Sequence, residues 1–122
     1  MGILRVAGAV RLFGCKTLWL AAGLHPAGRA LVNALGSNDP NLRTIAGMFL
    51  VQGGRKAAPL LEEALARREH LAMVLTIIGD IGDPRFEDDL RRFSHDANPE
   101  VAAAAKSAAE VLEATERAGK RQ

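Results

Sequence analysis

Apolar residues in this chain recur at three- and four-residue spacing. In LRTIAGMFLVQG, residues 42–53, the positions Leu42, Ile45, Ala46, Phe49 and Leu50 share one helical face, and Leu71, Val74, Leu75 and Ile78 repeat the spacing in LAMVLTII. Alternating runs rich in Val, Ile and Thr are missing, so strands are not expected. The pattern predicts helices over 10–22, 26–35, 40–52, 56–67, 70–79, 84–93 and 99–117. Their starts are legible in Asp39-Pro40, Asp83-Pro84 and Asn98-Pro99, each of which puts a side-chain oxygen at the N-cap and a proline at the first helical position. His25-Pro26 offers the proline without a good cap, and Gly36, Gly53-Gly54 and Gly79 to Gly82 read as stops.

The helices also repeat. Leu42, Leu71 and Val101 fall in register, as do Ile45/Ala46, Val74/Leu75 and Ala104/Ala105, and then Phe49/Leu50, Ile77/Ile78 and Ala108/Ala109. The steps are 29 and 30 residues. The preceding helices follow with Leu31/Leu35, Leu61/Leu65 and Asp89/Phe93, where Leu90 supplies the apolar contact that Asp89 cannot. A period near thirty, each unit a helical hairpin that cannot bury its apolar face alone, is the signature of an α-solenoid.

Residues 78–112, IGDIGDPRFEDDLRRFSHDANPEVAAAAKSAAEVL, resemble the HEAT-like repeat of the phycobilisome-lyase type. Such units run Leu-Gly-x-Ile-Gly-Asp-Pro, a short helix, an Asp/Asn-Pro turn, then Glu-Val and an Ala-rich helix. ALGSNDPNLRTIAGMFLVQGG at 34–54 resembles the same turn and second helix, while Arg67-Arg68-Glu69 replaces the Asp-Pro turn in the middle unit. The resemblance covers roughly residues 25–115. It implies an all-α, right-handed alpha-alpha superhelix and a bacterial, cytoplasmic protein. The expected organisation is one solenoid over 1–117, with a degenerate unit at 1–24, full repeats at 25–54, 55–82 and 83–117, and a polar tail at 118–122. Fold alone does not assign a function, since proteins of this type include chromophore lyases, adaptors and nucleic-acid binders.

LFGCKTLWLAAG, residues 12–23, admits rival readings. Leu12-Phe13-Gly14-Cys15 has the outline of a lipoprotein cleavage box, but Phe13 is bulky, and Arg5 and Arg11 interrupt the apolar run that a signal peptide needs. Those arginines and Lys16 also count against a spanning helix. Shifted by thirty residues, the stretch lies over 42–53, with Cys15 on Ile45, Trp19 on Phe49 and Gly23 on Gly53. Lys16 over Ala46 is the misfit; on an end unit its stem can lie on apolar surface while the ammonium stays wet. Attachment to an anionic membrane surface through Arg5, Arg11, Lys16 and Trp19 stays open beside a self-covering cap.

Charge adds a second signal. Residues 1–60 hold seven Lys/Arg against Asp39, giving +6, and residues 61–122 hold nine against thirteen acids, giving −4. The basic half can meet anionic lipid, nucleic acid or an acidic protein, and the acidic half can meet a second copy head to tail. Nucleic acid is disfavoured because Glu87, Asp88, Asp89 and Asp96 break any basic stripe, and aromatic residues are only 4% of the chain. Catalysis has no visible carrier. The acids of GDIGDPRFEDD do not have calcium-loop spacing, His25, His70 and His95 stand apart, and the single Cys15 permits no internal disulfide. No metal or cofactor is expected. The function expected is therefore that of an interaction or adaptor subunit that binds another protein. Its binding face would be the inner one of the second helices, at Arg43, Thr44, Gly47, Met48, Met73, Thr76 and Lys106.

Overall fold

The computed structural model describes residues 25–120 and, ahead of them, Arg11, Gly14 and Lys16, all three helical. Among the described residues the chain is all-α and holds no strand. Within the described residues 25–120 six α-helices follow in order: α1 (His25–Ala34), α2 (Pro40–Gly53), α3 (Ala58–Ala66), α4 (Leu71–Ile81), α5 (Glu87–Phe93) and α6 (Pro99–Lys120). Single 3-10 turns, Gly54–Ala57 and Pro84–Phe86, lead into α3 and α5. No helix among the described residues is long and apolar enough to cross a membrane. Contacts gather into two units, residues 1–64 and 65–122, and the division falls inside α3.

In the first unit α1 packs on α2. The turn between them is built by its own polar side chains: Ser37 Oγ accepts the Asp39 amide over 3.1 Å, and Asp39 Oδ1 accepts the Asn41 amide over 2.9 Å. With Pro40 at the first helical position, the cap satisfies an orphan donor and the proline removes another. Gly54, at φ 55°, returns its N–H to the Val51 carbonyl and stops α2 one residue later than the sequence pattern places it. Leu31, Val32, Ala46 and Leu50 are fully shielded from solvent.

In the second unit α6 is the spine against which both α4 and α5 pack. Asp83 and Asn98 repeat the Asp39 device, accepting the amides of Arg85 and Glu100 over 3.1 and 2.9 Å. Residues 84–93 nevertheless do not form the single helix expected. A 3-10 turn comes first, buries Phe86 to 1% exposure, and only then gives way to α5. Gly79 is not a stop either: α4 runs through it to Ile81, and the left-handed residue that ends the helix is Gly82, at φ 73°. α6 continues to Lys120, three residues past its expected end at 117.

Burial follows the thirty-residue register. Ala46, Leu75 and Ala105 are each 0% exposed, and Leu31, Leu61 and Leu90 are at most 1% exposed. Asp89 sits at the surface, paired with Arg92 over 2.9 Å, while Leu90 beside it enters the core. α4 buries Leu71, Val74, Leu75, Ile77 and Ile78, each contributing about 1.5–3 kcal/mol relative to exposure. That is why a helix with no Lys or Arg is stable here.

Gly79 fixes how closely α4 approaches α6. A Cβ at Gly79 would lie 2.8 Å from Ala108 Cα and 2.9 Å from Ala108 Cβ, and the backbone partner cannot swing away. Gly119, also helical, would meet nothing within 4 Å. Ala gains up to about 1 kcal/mol over Gly in helix propensity, so the two sites separate propensity from packing. Gly79→Ala is expected to destabilise by about 1–3 kcal/mol from overpacking, and Gly119→Ala to be neutral or slightly stabilising, in urea unfolding followed by circular dichroism. Equal effects at both positions would contradict the close approach.

Candidate functional site

The residues expected to bind a partner fall in two groups, one on the helices of each unit. On α2, Thr44 and Met48 are one turn apart and exposed, Met48 at 54%, while Arg43 and Gly47 are half-buried beside them. Arg43 is committed locally, its guanidinium donating to the Ser37 carbonyl over 2.8 Å. Thr44 turns its hydroxyl back to the Pro40 carbonyl over 3.0 Å. In the second unit Thr76 does the same to the Ala72 carbonyl over 2.9 Å, with Met73 half-buried near it and Lys106 exposed on α6. Both threonines thus satisfy their hydroxyls within their own helix and leave a methyl group for outside contact. Of the N-terminal candidates, Arg5 and Trp19 lie outside the described residues. Arg11 is exposed, and Lys16 is half-buried with its ammonium 4.7 Å from the centroid of the Phe49 ring. A cation over a ring face is attracted by the ring quadrupole, so Lys16 meets an aromatic surface rather than simply reaching water.

A groove of about 370 Å³ opens between α5 and α6. Leu90 and Leu112, 1% and 3% exposed, form its floor with Ala109. Glu87, Arg91 and Ser94 line one wall, and Lys106, Glu110, Glu113 and Glu116 line the other. The second wall is a helical stripe, since residues three and four apart share a face. Counted at 3.6 residues per turn, Lys106 and Glu113 lie roughly 140–160° around α6 from Ala108, on the side turned away from α4. The groove runs beside the whole of α5, from Glu87 to Ser94, against residues 106–116 of α6.

The groove's charges are loosely held. Arg91 faces Glu87 at 3.6 Å and Asp88 at 3.5 Å, and Glu113 faces Arg117 at 3.6 Å. All are well exposed, and pairs of this kind contribute about 0–1 kcal/mol each. Glu110, Glu116 and Lys106 have no ion-pair partner among the described residues. The acids carry no metal-site geometry: no group of three His, Cys, Asp or Glu among the described residues is arranged to hold an ion. Of the residues expected from sequence, Lys106 alone borders this groove. The missed signal was Glu110 and Glu113, roughly 140–160° around α6 from Ala108, followed three residues on by Glu116 at the flank of the alanine seam.

Beside the groove, the loop before α4 is tied to the turn before α6. Arg68, at φ 54°, donates to Asp96 Oδ1 over 3.0 Å and lies 5.9 Å from the Phe93 ring centroid. Arg92 approaches the same ring to 5.1 Å. The Asn98 amide N–H, bonded to Asp96 Oδ2 at 3.0 Å, is the main cause that holds the Asp96 carboxyl below the ordinary 3.8, with Arg68 second. A carboxyl depressed in the folded state stabilises fully above its unfolded pKa, and that contribution is lost as pH falls through the lower folded value. Arg68→Ala is therefore expected to raise the Asp96 midpoint, followed by carboxyl NMR, part of the way to the ordinary value, because the Asn98 bond stays. An unmoved midpoint would show that Arg68 does not hold Asp96.

Compared with known proteins, the chain matches no family model, no curated protein and no solved structure.

Proposed function

We propose that this protein is a non-catalytic interaction or adaptor subunit of the cytoplasm, built as a short right-handed HEAT-like solenoid. The observation that carries the functional reading is the α5/α6 groove, an apolar floor under an acidic rim. Its size suits a few side chains of a polypeptide. Buried Leu90 and Leu112 supply the apolar contact, and the carboxylates around them set orientation and select against acidic partners.

Two features support the solenoid reading. Buried positions recur at 29- and 30-residue steps, and Gly79 of α4 touches Ala108 of α6, 29 residues further on, as stacked second helices of consecutive repeats would. Stacked repeats characteristically bind extended partners along an exposed helical face. In the first unit Met48 and Thr44 present thioether and methyl groups rather than charge, and in the second unit Thr76 presents a methyl group.

Affinity capture from the native host tests the reading with the wild-type chain and two surface variants, Met73→Glu/Thr76→Glu and Glu110→Lys/Glu113→Lys. Loss of a reproducibly captured protein with the second variant is expected, by roughly tenfold or more for a central charge reversal. Loss with the first variant alone would move the contact to the inner helical face. Recovery unchanged with both would contradict an interaction role for either surface.

A further inference from the structure

We propose that the groove between α5 and α6 receives the basic N-terminal half of a second copy of this chain, so that molecules associate head to tail. This rests on reading the groove as a docking surface, and it names the occupant. Glu110 and Glu116 stand on its rim without an ion-pair partner among the described residues, and Glu113 holds only an exposed contact with Arg117 at 3.6 Å. The groove sets four carboxylates, Glu87, Glu110, Glu113 and Glu116, against two cations, Arg91 and Lys106, around buried Leu90 and Leu112, and this acidic excess calls for an occupant that brings cations together with apolar side chains.

That combination is carried by the same chain. The first acid in the sequence is Asp39, so the residues before it hold Arg5, Arg11, Lys16 and Arg29 with no carboxylate among them. Apolar residues flank those cations, Ile3 and Leu4 just before Arg5, Val10 and Phe13 between the next ones, and Arg11 is exposed. A basic segment of another protein satisfies the same chemistry. The second copy is favoured because it is present wherever the groove is present, at the same concentration, and because the charge asymmetry divides the chain into complementary halves. The two surfaces differ, so the contact is heterologous: each molecule that docks its head leaves a free groove for the next. Association through exposed charges is also screened by salt.

Sedimentation velocity of the full chain over a concentration series tests this. At low salt the weight-average mass is expected to rise with concentration past that of a dimer, and at about 0.5 M NaCl to return to the monomer. Glu110→Lys/Glu113→Lys removes the receiving surface and Arg5→Glu/Arg11→Glu removes the entering one. Each variant alone is expected to self-associate roughly tenfold more weakly or worse. Mixed together, they form one heterodimer and nothing longer, because a single intact head meets a single intact groove. Circular dichroism checks that both fold, and the milder Glu110→Gln/Glu113→Gln and Arg5→Gln/Arg11→Gln pairs replace any that does not. A wild-type chain that stays monomeric at low salt, variants that associate as the wild type does, or a mixture without heterodimer would each overturn the proposal. A monomeric wild type whose groove still captures a different protein overturns head-to-tail association while leaving the interaction role standing.

Discussion

The second unit depends on the approach of α4 to α6 at Gly79. No side chain separates the two backbones there, and Ala108 offers only a methyl group, so the helices meet more closely than any pair with larger residues at those positions. That closeness lets Val74, Leu75 and Ile78 reach full burial although α6 contributes mainly alanines, with Val101 and Leu112 as its large buried residues. Small residues on one helix and branched ones on the other keep the packing dense. Gly82 continues the seam, since a Cβ there would stand 3.1 Å from the Thr115 methyl group, at a φ that already favours glycine. One face of α6 is consumed in this way, which leaves its far face to carry Glu110 and Glu113 and its flank to carry Glu116.

Turns divide into two kinds. Those before α2, the 3-10 turn at Pro84 and α6 use one recipe, an Asp or Asn whose side chain accepts the amide two residues on, followed by proline. At Asp83 the second carboxylate oxygen also faces Arg85 Nε at 3.0 Å, which offsets the burial of that charge. The turn before α4 is different. Arg68 and His70 both hold positive φ, 54° and 48°, without being glycine, at a cost of about 1–2 kcal/mol each. His70 supplies no side-chain cap. The cost at Arg68 is offset by its bond to Asp96 and its position over Phe93, contacts far apart in sequence that only the folded unit brings together.

Helix content and the buried register were legible because both rest on periodic burial, which a sequence displays directly. Ala46, Leu75 and Ala105 could be placed in the core from spacing alone, and so could Leu90 in preference to Asp89. The caps were legible for the same reason, being local in sequence. Gly79 was not: a glycine near a helix end reads as a stop, and only the position of Ala108, on another helix, makes it a packing residue. The break at 84–86 was equally hidden, since burial of Phe86 decides it. The groove escaped because it is made where α5 lies along α6, a pairing of two helices that no single stretch of sequence displays.

The packing of the second unit and the proposed interaction role share one requirement, that α6 spend its alanine face on α4 and keep its charged face open. Isotope-edited NOE spectroscopy of the intact chain measures this most directly. A close seam predicts strong cross-peaks from the Gly79 α-protons to the Ala108 methyl group and from the Gly82 α-protons to the Thr115 methyl group, with none from Gly79 to the side chains of Glu110 or Glu113. Absence of the Gly79–Ala108 cross-peak, or its replacement by contacts from Gly79 to the glutamate stripe, would contradict the packing on which the groove and its proposed role rest.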